Sequence, residues 1–466
     1  MIKAERNELG TKSIGKLLIS LTVPSITAQL VNMLYNIVDR IYIGHIPNIG
    51  ANALTGVGLT FPIIMIISAF SSLIGMGGAP QAAIKMGQNK NDEAENILGN
   101  CFVAIIEISI ILTIFFLVFG ERLLLMFGAS TETLPYALSF LNVYVCGTVL
   151  VQITLGLNTF ISTQGFAKIS MISVVIGAVI SIILDPIFIF GLEMGVKGAA
   201  FANIIAQSVS AIWTLKFLLG NKTKLKLRKK NMKIKKSIII PVIFLGIAPF
   251  VMQSTESLLN VALNSSLQKY GGDIAVGAMT IIASLMQILM LPLTGLTQGA
   301  QPIISYNYGA KNKARVKKTF KLLITCAISF TSVYCAMVML FPRMFASLFS
   351  SDPSLLETTV WAMRIYMAAT FIIGAQIACQ QTFIAVGQAK YSLFNALLRK
   401  VILLIPLIYI LPLFFQDKVL AVLIAEPIAD IIAVITTVTM FAIQFKKILA
   451  EVTVEKIANA KTVNYS

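Results

Sequence analysis

The stretch LLISLTVPSITAQLVNMLYNIVDRIYI (residues 17–43) is apolar over enough length to cross a bilayer, yet it carries Gln29, Asn32, Asn36 and Asp39. At about 100° per residue these four fall within an arc of roughly 80° on one helix face. A second stretch, IIIPVIFLGIAPFVMQSTESLLNVALNS (residues 238–265), repeats the arrangement with Gln253, Glu256, Asn260 and Asn264. Amides and a carboxylate on one face of a membrane-spanning helix are costly in lipid, so each face is expected to meet water or a protein interior. Two such helices at corresponding places in a duplicated chain predict two walls of one polar cavity, the pattern of a transporter.

Composition agrees. The 466 residues are 57% apolar and 12% charged, which excludes an ordinary soluble protein. A span needs about 20 mostly apolar residues. Twelve segments qualify, at 17–43, 53–80, 97–120, 133–157, 169–191, 196–219, 238–265, 274–303, 320–342, 358–382, 392–415 and 419–444. The expected fold is an all-α integral membrane protein. The first apolar run is too long for a cleaved leader and carries the polar stripe, so it is read as a span.

Thirty of the 37 Lys and Arg residues fall in alternate connections and their flanks, and only Arg122, Lys197, Lys269, Arg343 and Lys418 in the others. The positive-inside rule then places both termini in the cytoplasm. The net charge of +17 is a topology signal, and its densest part is KTKLKLRKKNMKIKK at 222–236. That run is short, joins spans six and seven and lacks aromatic residues for stacking on bases. It reads as a linker beside anionic headgroups, with no nucleic-acid partner. Cys101, Cys146, Cys326, Cys335 and Cys379 all lie in apolar spans, so no disulfide framework is implied.

A shift of 222 residues superimposes Gly77 on Gly299, Pro80 on Pro302, Gly87 on Gly309, Tyr144 on Tyr366 and Gly165 on Gly387. The stripes align at 224, Gln29 on Gln253 and Asn36 on Asn260. Six spans per copy is an even number, so both copies enter the membrane in the same sense. The prediction is two six-helix lobes related by a pseudo-two-fold axis along the membrane normal. They cover 1–219 and 237–445, with a basic cytoplasmic linker at 220–236 and a cytoplasmic tail at 446–466. GGAPQAAIKMGQNKNDEA and QGAQPIISYNYGAKNKAR, after spans two and eight, read as matching turns whose role is structural.

NMLYNIVDRIYIG (32–44), IILDPIFIFGLEMGVKGAAFANIIAQ (182–207) and GAQPIISYNYGAKN (299–312) resemble the multidrug and toxic compound extrusion (MATE) antiporters, in particular their bacterial MepA-like branch. The resemblance covers essentially all twelve spans. It implies a V-shaped pair of lobes in the bacterial inner membrane, a monomer, and no cofactor beyond a coupling ion, H⁺ or Na⁺. It also implies export of cationic or amphiphilic drugs. Residue by residue, the family's N-lobe cation site, a possible Na⁺ site, matches Asp39 and Asp185. Asn36 lies beside them, Ser181 stands where an Asn is common, and Asn203 where a Thr is usual. Asn158 matches an amide from the fourth helix. In the C-lobe Glu256 matches an acid that one branch uses, and Gln376 stands where its partner acid would be. Pro24 matches a proline near which the first helix is thought to bend when the acid changes charge.

The remaining candidates come from the residues themselves. Gln29, Asn32, Gln253 and Asn260 line the expected cavity, and Met33, Phe250 and Met252 flank the stripes with surfaces suited to flat cations. Arg399, Glu426 and Asp430 share the last two spans. They read either as a buried structural salt bridge or as charge balance for substrate. Arg40, next to Asp39, is expected to reach toward the headgroups. A lipid-linked oligosaccharide flippase of related architecture is the main rival, and it would need a basic cavity. No GxxxxGK[ST] run supports an ATP-driven pump, no GxxxDR loop a major-facilitator transporter, and no nucleophile–base or Cys/His constellation an enzyme.

Overall fold

A computed structural model describes residues 8–350 and 352–463. Every regular element among them is helical. In the first half the spans are α1 (Ile14–Gly44), α2 (Gly50–Gly87), α3 (Asn91–Met126) and the bent α4 (Leu134–Cys146 with Thr148–Thr163). α5 (Ala167–Pro186, continued by a π-helical turn, Ile187–Gly191) and α6 (Val196–Leu219) complete it. The helix Lys236–Gly309 is 74 residues long. At 1.5 Å per residue it would measure about 110 Å, more than twice a bilayer with its headgroups. It breaks at Gly272, whose φ of 64° is not helical. We therefore treat 236–271 as α7 and 273–309 as α8. α9 (Lys313–Leu340), the bent α10 (Pro353–Tyr366 with Thr370–Ala385), α11 (Ala389–Leu413) and α12 (Lys418–Val463) follow. With each bent pair taken as one span and the 74-residue helix divided at Gly272, the described residues hold twelve segments long and apolar enough to span, the number the sequence predicts. Much of the expected 446–466 tail continues α12, and residues 464–466 lie outside the described residues.

The backbone records the duplication. Asn48 between α1 and α2 has φ 65°, and Gly272, 224 residues on, has φ 64°. Asn89 (φ 60°) answers Lys311 (φ 55°), and Gly165 (φ 94°) answers Gly387 (φ 76°), each pair 222 residues apart. Both copies bend the fourth span, by 58° at Gly147 and by 49° at 367–369. Left-handed backbone is rare outside glycine and asparagine, so its recurrence at matched places, Lys311 included, marks one connection plan used twice.

Packing divides the chain into two compact units. Ser20–Gln253 form one, and the residues up to Ile19 with those from Ser254 onward form the other. The core of the first includes Ile43, Ile63, Phe116, Phe140, Tyr144 and Ala200. That of the second includes Leu259, Ile282, Tyr334, Tyr366, Ile408 and Val422. The division does not fall in the 220–236 linker. The linker is sewn onto the first unit. Gln164 Oε1 accepts from Thr223 Oγ1 (2.8 Å) and from the backbone N–H of Lys224 (2.7 Å) and Leu225 (2.9 Å). Arg228 pairs with Glu95 at 2.7 Å, and Asn100 Oδ1 accepts from Lys235 N at 2.6 Å. The start of α7 then packs on α2 backbone to backbone. A methyl group on Gly246 would collide with the Leu73 carbonyl, and one on Gly77 with the Val242 carbonyl. The N-terminal segment does the reverse in the second unit. Arg315 Nη2 donates to the carbonyls of Leu9 (3.1 Å) and Lys12 (2.7 Å), and Asn307 Nδ2 to Leu9 O (2.9 Å).

Small residues that let helix backbones touch are what hold helices together in lipid, where burial of apolar surface gives no net drive. Gly246→Ala should therefore cost about 1–3 kcal/mol of overpacking and lower the thermal midpoint in detergent. Gly58→Ala, where nothing lies within 4 Å of the added methyl, should leave the midpoint equal or slightly higher. Equal midpoints for the two variants would contradict the close-packing account.

Candidate functional site

α1 carries the first stripe because its polar residues recur every three or four positions along an otherwise apolar helix. Asn32 and Asn36 are exposed, Gln29, Met33 and Asp39 are half-buried, and Pro24 is buried in the same helix. Pro24 has no N–H to donate to the preceding turn, so α1 is cheaper to bend there than elsewhere. Asn36 turns its amide back onto the Asn32 carbonyl at 2.6 Å.

Around Asp39 the first unit gathers groups from three helices. Asp185, near the end of α5, has no exposed surface, and neither carboxylate oxygen has a hydrogen-bond partner among the described residues. Ser181, one turn back, faces it without closing a well-formed hydrogen bond. Tyr35, one turn before Asp39, lies within electrostatic reach of both carboxylates and is hydrogen-bonded by Asn203 of α6. Arg40 lies within electrostatic reach of Asp39 but closes no ion pair with either acid among the described residues. Its guanidinium lies over the Phe61 ring, 5.5 Å from the centroid.

Asn158 does not join this cluster. Its Nδ2 donates to Ser170 O at 3.1 Å, and Ser170 precedes Ser181 by eleven residues, roughly 16 Å along α5. The turn at 164–166 joins α4 to α5 as antiparallel neighbours, so position 158 lies level with the start of α5 and far from its end. Tyr35 is the reverse case, a member that the sequence reading passed over. Its signal was present, a phenol one turn from Asp39 on the striped helix.

The second stripe divides. Gln253 accepts from Ser72 Oγ at 3.1 Å, and Phe250 meets the Phe70 ring edge-on at 4.9 Å. Both belong to the first unit, and so does Met252. The expected assignment of Gln253 to the second lobe does not match this packing, because the Gly77–Gly246 approach carries the start of α7 onto α2. Glu256, Asn260 and Asn264 belong to the second unit and are exposed along one face.

Behind that face lies a network of charge. Arg399 donates from Nε to Asp430 Oδ1 at 2.5 Å and from Nη2 to Glu426 Oε1 at 2.7 Å. It bridges both acids, which stand one turn apart on α12. Lys400 is 8% exposed and donates to Glu256. Both cations come from a π-helical turn in α11, Leu398–Leu404. The wider turn reduces the angle between successive residues and lets two neighbours face inward together. Tyr366 is buried among these groups, and Gln376 is buried on α10. Lys400 was not singled out from the sequence, where a lysine in the first half of an apolar span looks like one that snorkels to the near surface.

Arg399→Met alone leaves two buried carboxylates uncompensated and should cost about 3–5 kcal/mol. The triple variant Arg399→Met, Glu426→Gln, Asp430→Asn should recover most of that loss in a thermal melt. No recovery would argue against a mainly electrostatic penalty.

The MatE family model matches the chain twice, at residues 24–187 and 249–410. The chain is similar to the multidrug export protein MepA of Staphylococcus haemolyticus (strain JCSC1435), at 26% identity over 90% of this chain and 92% of that protein. MepA of Staphylococcus aureus (strain N315) is 25% identical, over 91% and 93%. Among solved structures, the MATE multidrug transporter DinF-BH in complex with R6G is 36% identical. It covers 93% of this chain and 96% of its own, with a TM-score of 0.86. A MATE transporter in the bent conformation has a TM-score of 0.89 at 22% identity, over 94% and 97%. With one family model spanning each half of a twelve-span helical chain, the protein belongs to the MatE family of membrane transporters.

Proposed function

We propose that this protein is a multidrug exporter of the bacterial inner membrane that drives out cationic and amphiphilic organic compounds in exchange for H⁺ or Na⁺. The observation that carries the reading is Asp185, a carboxylate with no exposed surface and no hydrogen-bond partner among the described residues, within electrostatic reach of a second acid, Asp39. A carboxylate held this way in an apolar interior is stabilised by taking up a proton or a small hard cation. Asn203 and Ser181 supply further oxygens, and Tyr35 is placed to report the charge of the pair to the rest of α1.

Coupling requires that ion and drug exclude one another. On this reading the ion binds at Asp39 and Asp185 in the outward-open state, α1 bends at Pro24, drug affinity falls, and the drug leaves. The names of the relatives, MepA as a multidrug export protein and DinF-BH in complex with R6G, support the substrate class. The exposed groups of both stripes are amides and one acid, and Arg399 and Lys400 are tied to carboxylates. An export path for organic cations accounts for this better than a flippase holding pyrophosphate.

Reconstituted into vesicles, the protein should move ethidium under an imposed pH gradient or an imposed Na⁺ gradient. The gradient that works identifies the coupling ion. Asp39→Asn and Asp185→Asn should each reduce driven flux to that of empty vesicles while ethidium still binds. Full driven flux in either variant would remove the ion-site assignment.

A further inference from the structure

One cluster in the second unit brings together five charged side chains, and within it they do not balance. Glu256 of α7 and Glu426 and Asp430 of α12 are three carboxylates, against the two cations Arg399 and Lys400 of α11, with the Tyr366 phenol packed among them. Arg399 is committed to Glu426 and Asp430. Lys400 bonds to Glu256, and the two differ in exposure. The lysine side chain is 11% exposed and the glutamate 53%. The ammonium therefore approaches Glu256 from inside the protein. The outer flank of the carboxylate stays open, along the face that also carries Asn260 and Asn264.

Lys400 also has a second place to go. It lies within electrostatic reach of Glu426 and Asp430, and Glu426 Oε2 is buried with no hydrogen-bond partner among the described residues. A lysine on a four-carbon stem can reach two acceptors on one side, which the rigid fork of an arginine does less readily.

We propose that Lys400 is a resident cation on Glu256 that an incoming organic cation displaces, its ammonium then turning inward to Glu426. This rests on the reading of the protein as an exporter of organic cations. In the ligand-free state Lys400 neutralises Glu256. In the bound state the drug takes that place, and Lys400 satisfies the orphaned oxygen of Glu426. Neither state leaves an ammonium or a carboxylate buried alone, the arrangement that would otherwise be expensive. A neutral compound cannot make the exchange, because it would leave Glu256 unpaired. Lys400 is thus a specificity-determining residue that sets a charge requirement at this wall.

Equilibrium binding of ethidium to the purified full-length protein, read by fluorescence polarisation, tests the exchange. Lys400→Met should bind up to about fivefold tighter than the parent, because no half-exposed ion pair has to be broken first. Lys400→Arg should bind more weakly than the parent, and the gain should vanish in the Lys400→Met, Glu256→Gln double variant. Equal or weaker binding by a monodisperse Lys400→Met protein, or a gain that survives the loss of Glu256, would overturn the proposal. Should Lys400→Met fail to fold, Lys400→Arg decides alone, and affinity equal to the parent overturns it. Ethidium binding by none of these forms would overturn the organic-cation reading and the exchange with it. Binding that is indifferent to position 400 would overturn the exchange only.

Discussion

A charge that cannot reach water must find a partner of opposite sign, and this constraint shapes both units. Twelve apolar helices leave few places where a carboxylate is stable, and the buried acids described above are either paired or within reach of a second acid. The second unit takes the first course, with Arg399 shared by Glu426 and Asp430 and Lys400 on Glu256. The first unit takes the other, with Asp185 buried and without a hydrogen-bond partner among the described residues, and with Arg40 over Phe61, near Asp39 but not bonded to it.

The divergence follows the duplication position by position. At the spacing of the repeats Asp39 falls on Leu263 and Asp185 on Leu407, while Glu256 falls on Asn32 and Lys400 on Ala178. None of these three acids falls on an acid in the other half. What the halves share is backbone, namely the left-handed residues at Asn48 and Gly272 and at Asn89 and Lys311, and the bend in the fourth span of each. Duplication kept the connection plan, which steric limits on φ hold in place, and left the side chains able to specialise.

Much of the fold was legible because it rests on short-range rules. Span length, basic flanks and a constant offset need no knowledge of which helix touches which. Asp39, Asp185, Glu256, Arg399, Glu426 and Asp430 stood out as charges in apolar runs. Asn158 and Gln253 meet neighbours that helical spacing could not foretell. Helical spacing tells which face a residue occupies, but a neighbour across the interface decides what that face meets. Asn158 meets Ser170, and Gln253 meets Ser72.

The amino-acid sequence by itself determined the apolar spans, the two-fold repeat and which charges lie within apolar runs, since each follows from hydropathy, charge and period. Tertiary structure alone decided the division of the units at 19/20 and 253/254, because the Gly77–Gly246 approach and the Arg315 contacts join residues far apart in the chain. It alone decided which acids are neutralised. Pairing Lys400 with Glu256 depends on a π-helical turn and on the crossing of α7 with α11, and neither has a signature in local sequence.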